Sequence, residues 1–141
     1  SLDEALTCAR EAQVRLHKLA DKNLEARALL LVSSLHVERH EALQAQQATT
    51  EAARIFEELG DLVGAGTATL READVFSLQQ RTSQATARML DAVELFKKAG
   101  CKKSQAVTLL RLSRAHLAQG KHRESMSCAR GSMALFQQLR H

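Results

Sequence analysis

Residues 55–61 read IFEELGD, and residues 95–101, forty positions further along the chain, read LFKKAGC. In both stretches a phenylalanine is followed four residues later by a glycine, Gly60 in the first and Gly100 in the second. Glycine readily takes the left-handed backbone conformation with which many α-helices end. The two stretches therefore predict two helix ends in the same register of a repeated sequence.

This register of forty residues extends over the whole chain. Residues forty positions apart form columns, and each column holds side chains of one kind: large apolar groups, small groups or flat rings. The columns are Leu16, Phe56, Phe96 and Phe136; Ala5, Ala45, Ala85 and Ser125; Ala12, Ala52, Ala92 and Ser132; Ser33, Ala73 and Ser113; and His36, Phe76 and His116. Within one repeat these positions form two groups, and neighbouring members of a group are three, four or seven residues apart, which predicts two helices per repeat.

The repeats predict an all-α solenoid. We expect seven helices, over residues 2–19, 24–39, 41–59, 64–79, 82–99, 103–119 and 122–140. Because the loops are only a few residues long, consecutive helices must run antiparallel and pack as hairpins. Asp21 and Asp61 follow helix ends and are expected to cap the next helices. We expect one repeat domain over residues 1–141, with a partial repeat over 1–20 and repeats over about 21–60, 61–100 and 101–141.

The composition agrees with an all-α protein and excludes several other classes. Of the 141 residues, 45% are hydrophobic, only 3% are aromatic and none is proline, whereas strands and their turns favour aromatic residues and proline. No apolar run approaches the roughly 18 residues of a membrane span. Three cysteines, an odd number without a CxxC motif or a signal peptide, predict a reduced intracellular protein, in the cytoplasm.

The pattern of small and aromatic positions resembles the tetratricopeptide (TPR) family. Ser33, Ala73 and Ser113 match its first small position, and the ring column three residues later matches its aromatic position. The period of forty and the helix ending in residues 56–61 resemble the long-helix subtype of Pins/LGN-type polarity adaptors and the related repeat of kinesin light chains. Thr69 and Glu72 depart from the family's Trp/Leu pair. The resemblance implies a right-handed superhelix with a concave groove.

The resemblance also implies that the first helix of each hairpin lines this groove. The groove-facing candidates are Arg27, Leu31, Ser34, Arg71, Asp74, Arg111 and Arg114. Relatives often carry asparagine in these columns, and those contacts are absent here. The remaining arginines suit carboxylates, which predicts an acidic peptide as ligand. The alternatives are solvated arginines whose stems cover apolar surface, or an Arg71–Asp74 ion pair of little energetic weight.

The favoured function is a non-catalytic protein–protein interaction module or scaffold, a fragment of a larger protein, that binds a peptide or a partner helix in the groove. The alternative is self-assembly into dimers or filaments through uncovered terminal helices. The last helix carries the apolar side chains that would be half-exposed in a monomer: Met126, Met133, Leu135, Phe136 and Leu139. Large exposed apolar faces usually mark interaction sites.

Nucleic acid is the least favoured partner. Residues 1–70 hold 7 basic and 11 acidic side chains, a net charge of −4, and residues 71–141 hold 13 basic and 5 acidic, a net charge of +8. A basic half would attract nucleic acid, but binding sites for single strands usually add exposed aromatic platforms. We expect all four phenylalanines to lie in the core instead.

No residues predict catalysis, a cofactor or a metal site. His36 and His40 have a spacing that could bind metal, but the ring column of His36 indicates a packing role. Cys8 and Cys128 share a column and are interpreted as small core residues. Cys101 lies beside Lys102 near a helix N-terminus, conditions that lower the pKa of a thiol. No triad, nucleophile elbow or phosphate loop is recognisable, so we expect no enzyme.

Overall fold

The computed structural model describes residues 1–140 and contains seven α-helices and no strand within them. The helices are α1 (Leu2–Lys18), α2 (Lys22–Glu38), α3 (Ala42–Leu59), α4 (Leu62–Leu78), α5 (Thr82–Ala99), α6 (Lys102–Ala118) and α7 (His122–Leu139). All predicted bounds agree with these to within two residues. None of the described helices is long and apolar enough to cross a membrane. The last predicted repeat ends at residue 141, outside the described residues.

All six turns between the helices have the same backbone form. The residue at each twentieth position has a positive φ, and glycine occupies only three of these positions, with φ between 66° and 75°. The others are Ala20, His40 and Gln80. The next residue donates its N–H to a carbonyl five positions back, as Asp61 does to Phe56 at 3.0 Å, which is the Schellman pattern. Helix ends therefore recur every twenty residues, half the sequence repeat.

The positive φ at Gln80 can be tested by a substitution. A side chain in this conformation costs roughly 1–2 kcal/mol, so Gln80→Gly is expected to raise the free energy of unfolding by roughly 1 kcal/mol. Gln79, with φ −84°, is the matched control. Gln79→Gly is expected to leave stability unchanged or lower it. Urea unfolding of both variants checks the expectation, and a gain for both, or a loss for Gln80→Gly, would contradict it.

Predicted caps close two of the helix N-termini. The Asp21 carboxylate accepts a hydrogen bond from the Leu24 N–H at 3.2 Å, and the Asp61 carboxylate accepts one from the Gly64 N–H at 2.9 Å. Side-chain caps of this kind contribute about 1 kcal/mol each. The sequence predictions for Asp21 and Asp61 are confirmed. The corresponding residue before α6, Cys101, makes no such cap.

The helices pair as the hairpins α2–α3, α4–α5 and α6–α7, and α1 packs on α2. Alanines at the helix contacts let the backbones approach closely, and seven of them are fully buried: Ala26, Ala45, Ala52, Ala68, Ala73, Ala92 and Ala106. Buried hydroxyls join helices at neighbouring positions. The Ser33 and Thr49 hydroxyls lie 2.5 Å apart between α2 and α3, and Ser113 and Ser125 each donate to the other's carbonyl at 2.8 Å between α6 and α7.

The phenylalanines show how burial depends on position in the solenoid. Phe56 and Phe96 are each only 1% exposed, because helices cover both sides of their rings. Phe76 is partly buried, and Phe136 on α7 is 38% exposed. The prediction of a core position for all four is therefore wrong for Phe136. A phenylalanine in this column is buried only where a further helix packs on its outer side. No helix within residues 1–140 packs there on α7, which contacts only α6.

The ends of the solenoid also correct the prediction for the paired cysteines. Cys8 is exposed, since no helix among the described residues covers the face of α1 that also carries Ala5 and Ala12. Cys128, its counterpart on α7, is half-buried, and burial raises the pKa of its thiol. Cys128 packs against the cluster formed by Ala73, Met89 and Leu112. The interpretation as a core residue therefore holds in part for Cys128 and is wrong for Cys8.

Candidate functional site

The first helices of the three hairpins, α2, α4 and α6, form one face of the solenoid, here called the groove. Two open cavities lie along it. The first cavity, of about 540 Å³, is lined by Asn23, Arg27, Leu30, Leu31, Ser34, Phe56, Asp61, Val63, Gly64, Thr67 and Arg71. The second cavity, of about 570 Å³, is lined by Val37, Glu38, His40, Asp74, Ser77, Leu78 and Arg111. The first lies between α2 and α4, and the second also reaches α6.

The first cavity combines apolar surface with an available guanidinium group. Leu31 is 53% exposed at its wall, and the largely buried Phe56 and Leu30 lie beneath it. Arg27 is exposed and makes no ion pair with the side chains of residues 1–140. Asp61, the one carboxylate among the described residues that line this cavity, caps α4 and also accepts a hydrogen bond from Asn23 at 3.0 Å. The cavity therefore offers an apolar contact beside a cation.

A close approach between helices shapes the floor of this cavity. Gly64 lies in the first turn of α4, where its backbone meets the Phe56 ring of α3. A Cβ atom at Gly64 would lie only 2.1 Å from Phe56 Cδ1. The sequence column of Gly64 also contains Leu24 and Ser104, so the repeat does not predict a glycine at this position. The glycine lets the ring fill the space between α3 and α4.

Three charged residues meet in the centre of the groove. Asp74 on α4 accepts from Arg71 Nη1 at 3.3 Å, and its other carboxylate oxygen accepts from Arg111 Nη2 on α6. The three side chains are 25%, 31% and 33% exposed for Asp74, Arg71 and Arg111. Ion pairs this accessible contribute only about 0–1 kcal/mol to stability. Their effect is to neutralise part of the charge that the groove presents.

The second cavity has mixed charge. Glu38 and Asp74 line it together with His40 and Arg111, beside the apolar side chains of Val37 and Leu78. Arg27 lies near the beginning of α2 and Glu38 at its end, so the charge along this wall of the groove changes sign. The groove therefore presents acidic as well as basic side chains.

Six of the seven predicted site residues line the two cavities. The first cavity contains Arg27, Leu31, Ser34 and Arg71, and the second contains Asp74 and Arg111. Arg114 is exposed on α6 and lines neither. The Arg71–Asp74 pair that was one alternative is present. The Asp74–Arg111 contact was missed, because the two positions differ by 37 rather than 40 and therefore share no column of the repeat.

His36 confirms its interpretation as a packing ring, since it is only 3% exposed. Its Nε2 lies 2.8 Å from Arg10 Nη2 of α1, and its Nδ1 lies 3.7 Å from the Glu41 carboxylate. A guanidinium can only donate, so Nε2 must accept and the ring is neutral. Burial, and then the Arg10 charge, lower the pKa of His36, although Glu41 acts in the opposite direction.

This environment makes stability depend on pH. The unfolded chain protonates His36 near its ordinary pKa of 6.5, whereas the folded chain does so only at lower pH. The free energy of unfolding is therefore expected to fall as the pH drops below 6.5 towards the lowered pKa. His36→Phe, which introduces the residue found at Phe76, is expected to reduce that fall. Urea unfolding at about pH 7.5 and about pH 5 tests this, and an equal fall in both proteins would contradict it.

The remaining reactive groups are isolated. Within residues 1–140, no group of three or more His, Cys, Asp or Glu side chains is arranged to hold a metal ion. A hydrogen bond with Ser104, at 3.2 Å from the sulfur, lowers the pKa of Cys101, with a smaller contribution from Lys103. The direction agrees with the sequence prediction for this cysteine.

The hairpins, their uniform turns and their neighbour-to-neighbour packing define a TPR-like helical solenoid. A solved structure with this fold is the crystal structure of BtubC (BKLC) from P. vanneervenii, with a TM-score of 0.87 and 15% sequence identity. The similarity covers 99% of this chain and 59% of BtubC, so the chain spans about three-fifths of that protein. No protein-family model matches the sequence, and no curated protein is significantly similar to it. At 15% identity, the likeness shows the fold.

Proposed function

We propose that the chain is a non-catalytic protein-interaction module, part of a larger scaffold, whose groove binds a peptide or a partner helix. The observation that carries the proposal is the first cavity, where a half-exposed leucine lies beside an arginine that forms no ion pair within residues 1–140. Its volume of about 540 Å³ lies within the range of ligand pockets. The TPR-like fold supports a role in protein interaction by analogy.

The chemistry of the cavity favours a ligand with an apolar side chain followed or preceded by a carboxylate. The apolar group would cover Leu31 and the floor near Leu30, where each Å² removed from water contributes roughly 25 cal/mol. The carboxylate would face Arg27, whose planar guanidinium can donate two parallel hydrogen bonds. Arg71 lies at the same cavity but already has a partner in Asp74. The preference of the cavity for an acidic group in the ligand therefore depends mainly on Arg27.

Two groove variants with matched controls test this proposal. Short random peptides displayed on phage are selected on the wild-type chain, and the dissociation constant of the most enriched peptide is measured by fluorescence anisotropy. Leu31→Ser and Arg27→Glu are each expected to weaken binding roughly tenfold or more. The controls are Leu43→Ser, a 65% exposed leucine on α3, and Lys97→Glu, an exposed cation on α5.

The controls are expected to bind like the wild type, because both positions lie on second helices of hairpins and outside the two cavities. Equal losses in Leu31→Ser and Leu43→Ser would place the ligand elsewhere. Circular dichroism of all variants shows whether the helices are intact. Failure to enrich any peptide on the wild-type chain would count against the groove as a peptide site.

Self-assembly is the second proposal, and the exposed face of α7 favours it. Met126 is 56% exposed, Met133 62% and Leu139 47%. Within residues 1–140, the backbones of α1, α3, α5 and α7 come close only to those of α2, α4 and α6. Stacking of α7 on the α1 of another copy would therefore pair two helices of a kind that the solenoid itself does not pair. Light scattering over a range of concentrations tests it. A constant mass near 15.5 kDa would exclude self-assembly under those conditions.

A further inference from the structure

Asp74 occupies the position in the groove where a ligand carboxylate would otherwise be expected. Its two oxygens face different arginines, Arg71 on its own helix and Arg111 on α6. Three-quarters of the Asp74 side chain is covered, and its neighbours are about two-thirds covered. The centre of the groove therefore already contains the anion that its two central arginines would bind.

The repeat shows that this acidic residue is not required for packing. The column of Asp74 contains Ser34 on α2 and Arg114 on α6, and the helices that carry them have the same length and the same turns. The ion pairs of Asp74, which are partly accessible to solvent, contribute only about 0–1 kcal/mol to folding stability. A role at the surface of the groove, rather than in packing, therefore explains an acidic residue at this position.

A second acidic group in contact with Asp74 would be unfavourable for two reasons. It would have to displace the Asp74 carboxylate from at least one guanidinium, which loses a charge-assisted hydrogen bond. The displaced carboxylate would then lie beside a carboxylate of the ligand, and like charges brought together in a partly covered site repel. An uncharged or basic side chain has neither cost, and a basic one could also interact with Glu38, which lines the second cavity together with Asp74.

We propose that Asp74 is a specificity-determining residue of the groove, which excludes acidic ligand side chains from its centre and restricts them to the Arg27 end. This inference rests on the proposed function, since it describes which peptides the groove accepts. It differs from the expectation based on sequence, in which every arginine of the groove favours acidic ligands. The preferred ligand is a peptide with one acidic position near Arg27 and uncharged or basic positions beyond it.

The test uses Asp74→Ser, which introduces the residue of the same column in α2, and the isosteric Asp74→Asn. The probe is the peptide enriched on the wild-type chain, together with derivatives in which each position is replaced in turn by glutamate. We expect glutamate at one or more central positions to weaken binding to the wild-type chain roughly tenfold. Both Asp74 variants are expected to abolish that loss or to convert it into a gain.

Asp91→Asn is the matched control. Asp91 lies on α5, is 53% exposed and pairs with Arg88 at 2.7 Å, so this variant also removes one negative charge and one arginine partner, but outside the groove. The control is expected to show the same penalty for glutamate as the wild type. Equal relief by Asp91→Asn would mean that only net charge matters, and an unchanged penalty in both Asp74 variants would equally overturn the inference.

The result also separates this inference from the proposed function. If peptides bind and depend on Leu31 but ignore Asp74, the groove is a binding site and the specificity inference is wrong. If glutamate is tolerated at every position by the wild-type chain, the inference is also wrong. If no peptide is captured by the wild-type chain or by either Asp74 variant, both proposals are wrong.

Discussion

Phe96→Ala is expected to lower the free energy of unfolding by about 3–5 kcal/mol, the usual cost of deleting a fully buried aromatic ring. Phe96 is 1% exposed, and its ring packs closely on Gly66 of α4. Removal of the ring leaves a cavity beside α4 that the backbones of α4 and α5 cannot close without losing other contacts. Chemical unfolding followed by circular dichroism measures the loss.

Phe136→Ala is the matched control, because Phe136 occupies the same column one repeat later and is 38% exposed. Its loss is expected to be less than about half as large, since part of the ring is already in water. Similar losses at both positions would mean that α7 is covered in solution, which would in turn support self-assembly. A small loss at Phe96 would contradict the packing described here.

Gly64→Ala is expected to destabilise the protein by about 1–3 kcal/mol, although alanine is the better helix former by roughly 1 kcal/mol. The new Cβ atom would lie 2.1 Å from Phe56 Cδ1, so the ring or the helix must shift. Because Phe56 is only 1% exposed, most of its ring already touches neighbouring groups, and the open space beside it is the first cavity that it lines. The shift is also expected to distort the first cavity and weaken peptide binding.

Gly131→Ala on α7 provides the opposite case. A Cβ atom there would meet only Leu109 Cδ1 at 3.4 Å, at the edge of ordinary van der Waals contact. Helix propensity then dominates, and we expect a gain of up to about 1 kcal/mol. Urea unfolding of the two variants should therefore give changes of opposite sign. A gain for Gly64→Ala would show that Phe56 does not lie against α4 as described.

The sequence columns predicted the fold well because the repeat presents the same environment several times. Phe56 and Phe96 share their burial, and His36 and His116 are both buried, so one pattern described many positions at once. The assumption that all members of a column share one environment failed at the ends of the solenoid. Phe136 belongs to a column whose other members are enclosed, but its exposure depends on what packs beyond α7, and a column contains no information about that.

The turns and the groove each contain a feature that could not be predicted from the sequence. Ala20, His40 and Gln80 end helices in the left-handed conformation without the glycine that would have indicated it, because packing of the hairpins supplies the energy that the backbone requires. The columns placed Arg71 and Asp74 on one helix, where the two side chains form an ion pair. They could not predict the contact of Asp74 with Arg111, since that depends on how far α4 and α6 are rotated and how their side chains extend.

The neighbour-to-neighbour packing of the solenoid has a consequence for its dynamics. A helix with partners on one side only can open without disturbing the rest, so amide hydrogens of α1 and α7 should exchange with solvent faster than those of α2, α3, α4 and α5. The first cavity lies between α2 and α4, which also contact each other directly. It therefore belongs to the slowly exchanging centre of the chain, and a ligand would find its walls already ordered, with little loss of conformational entropy on binding.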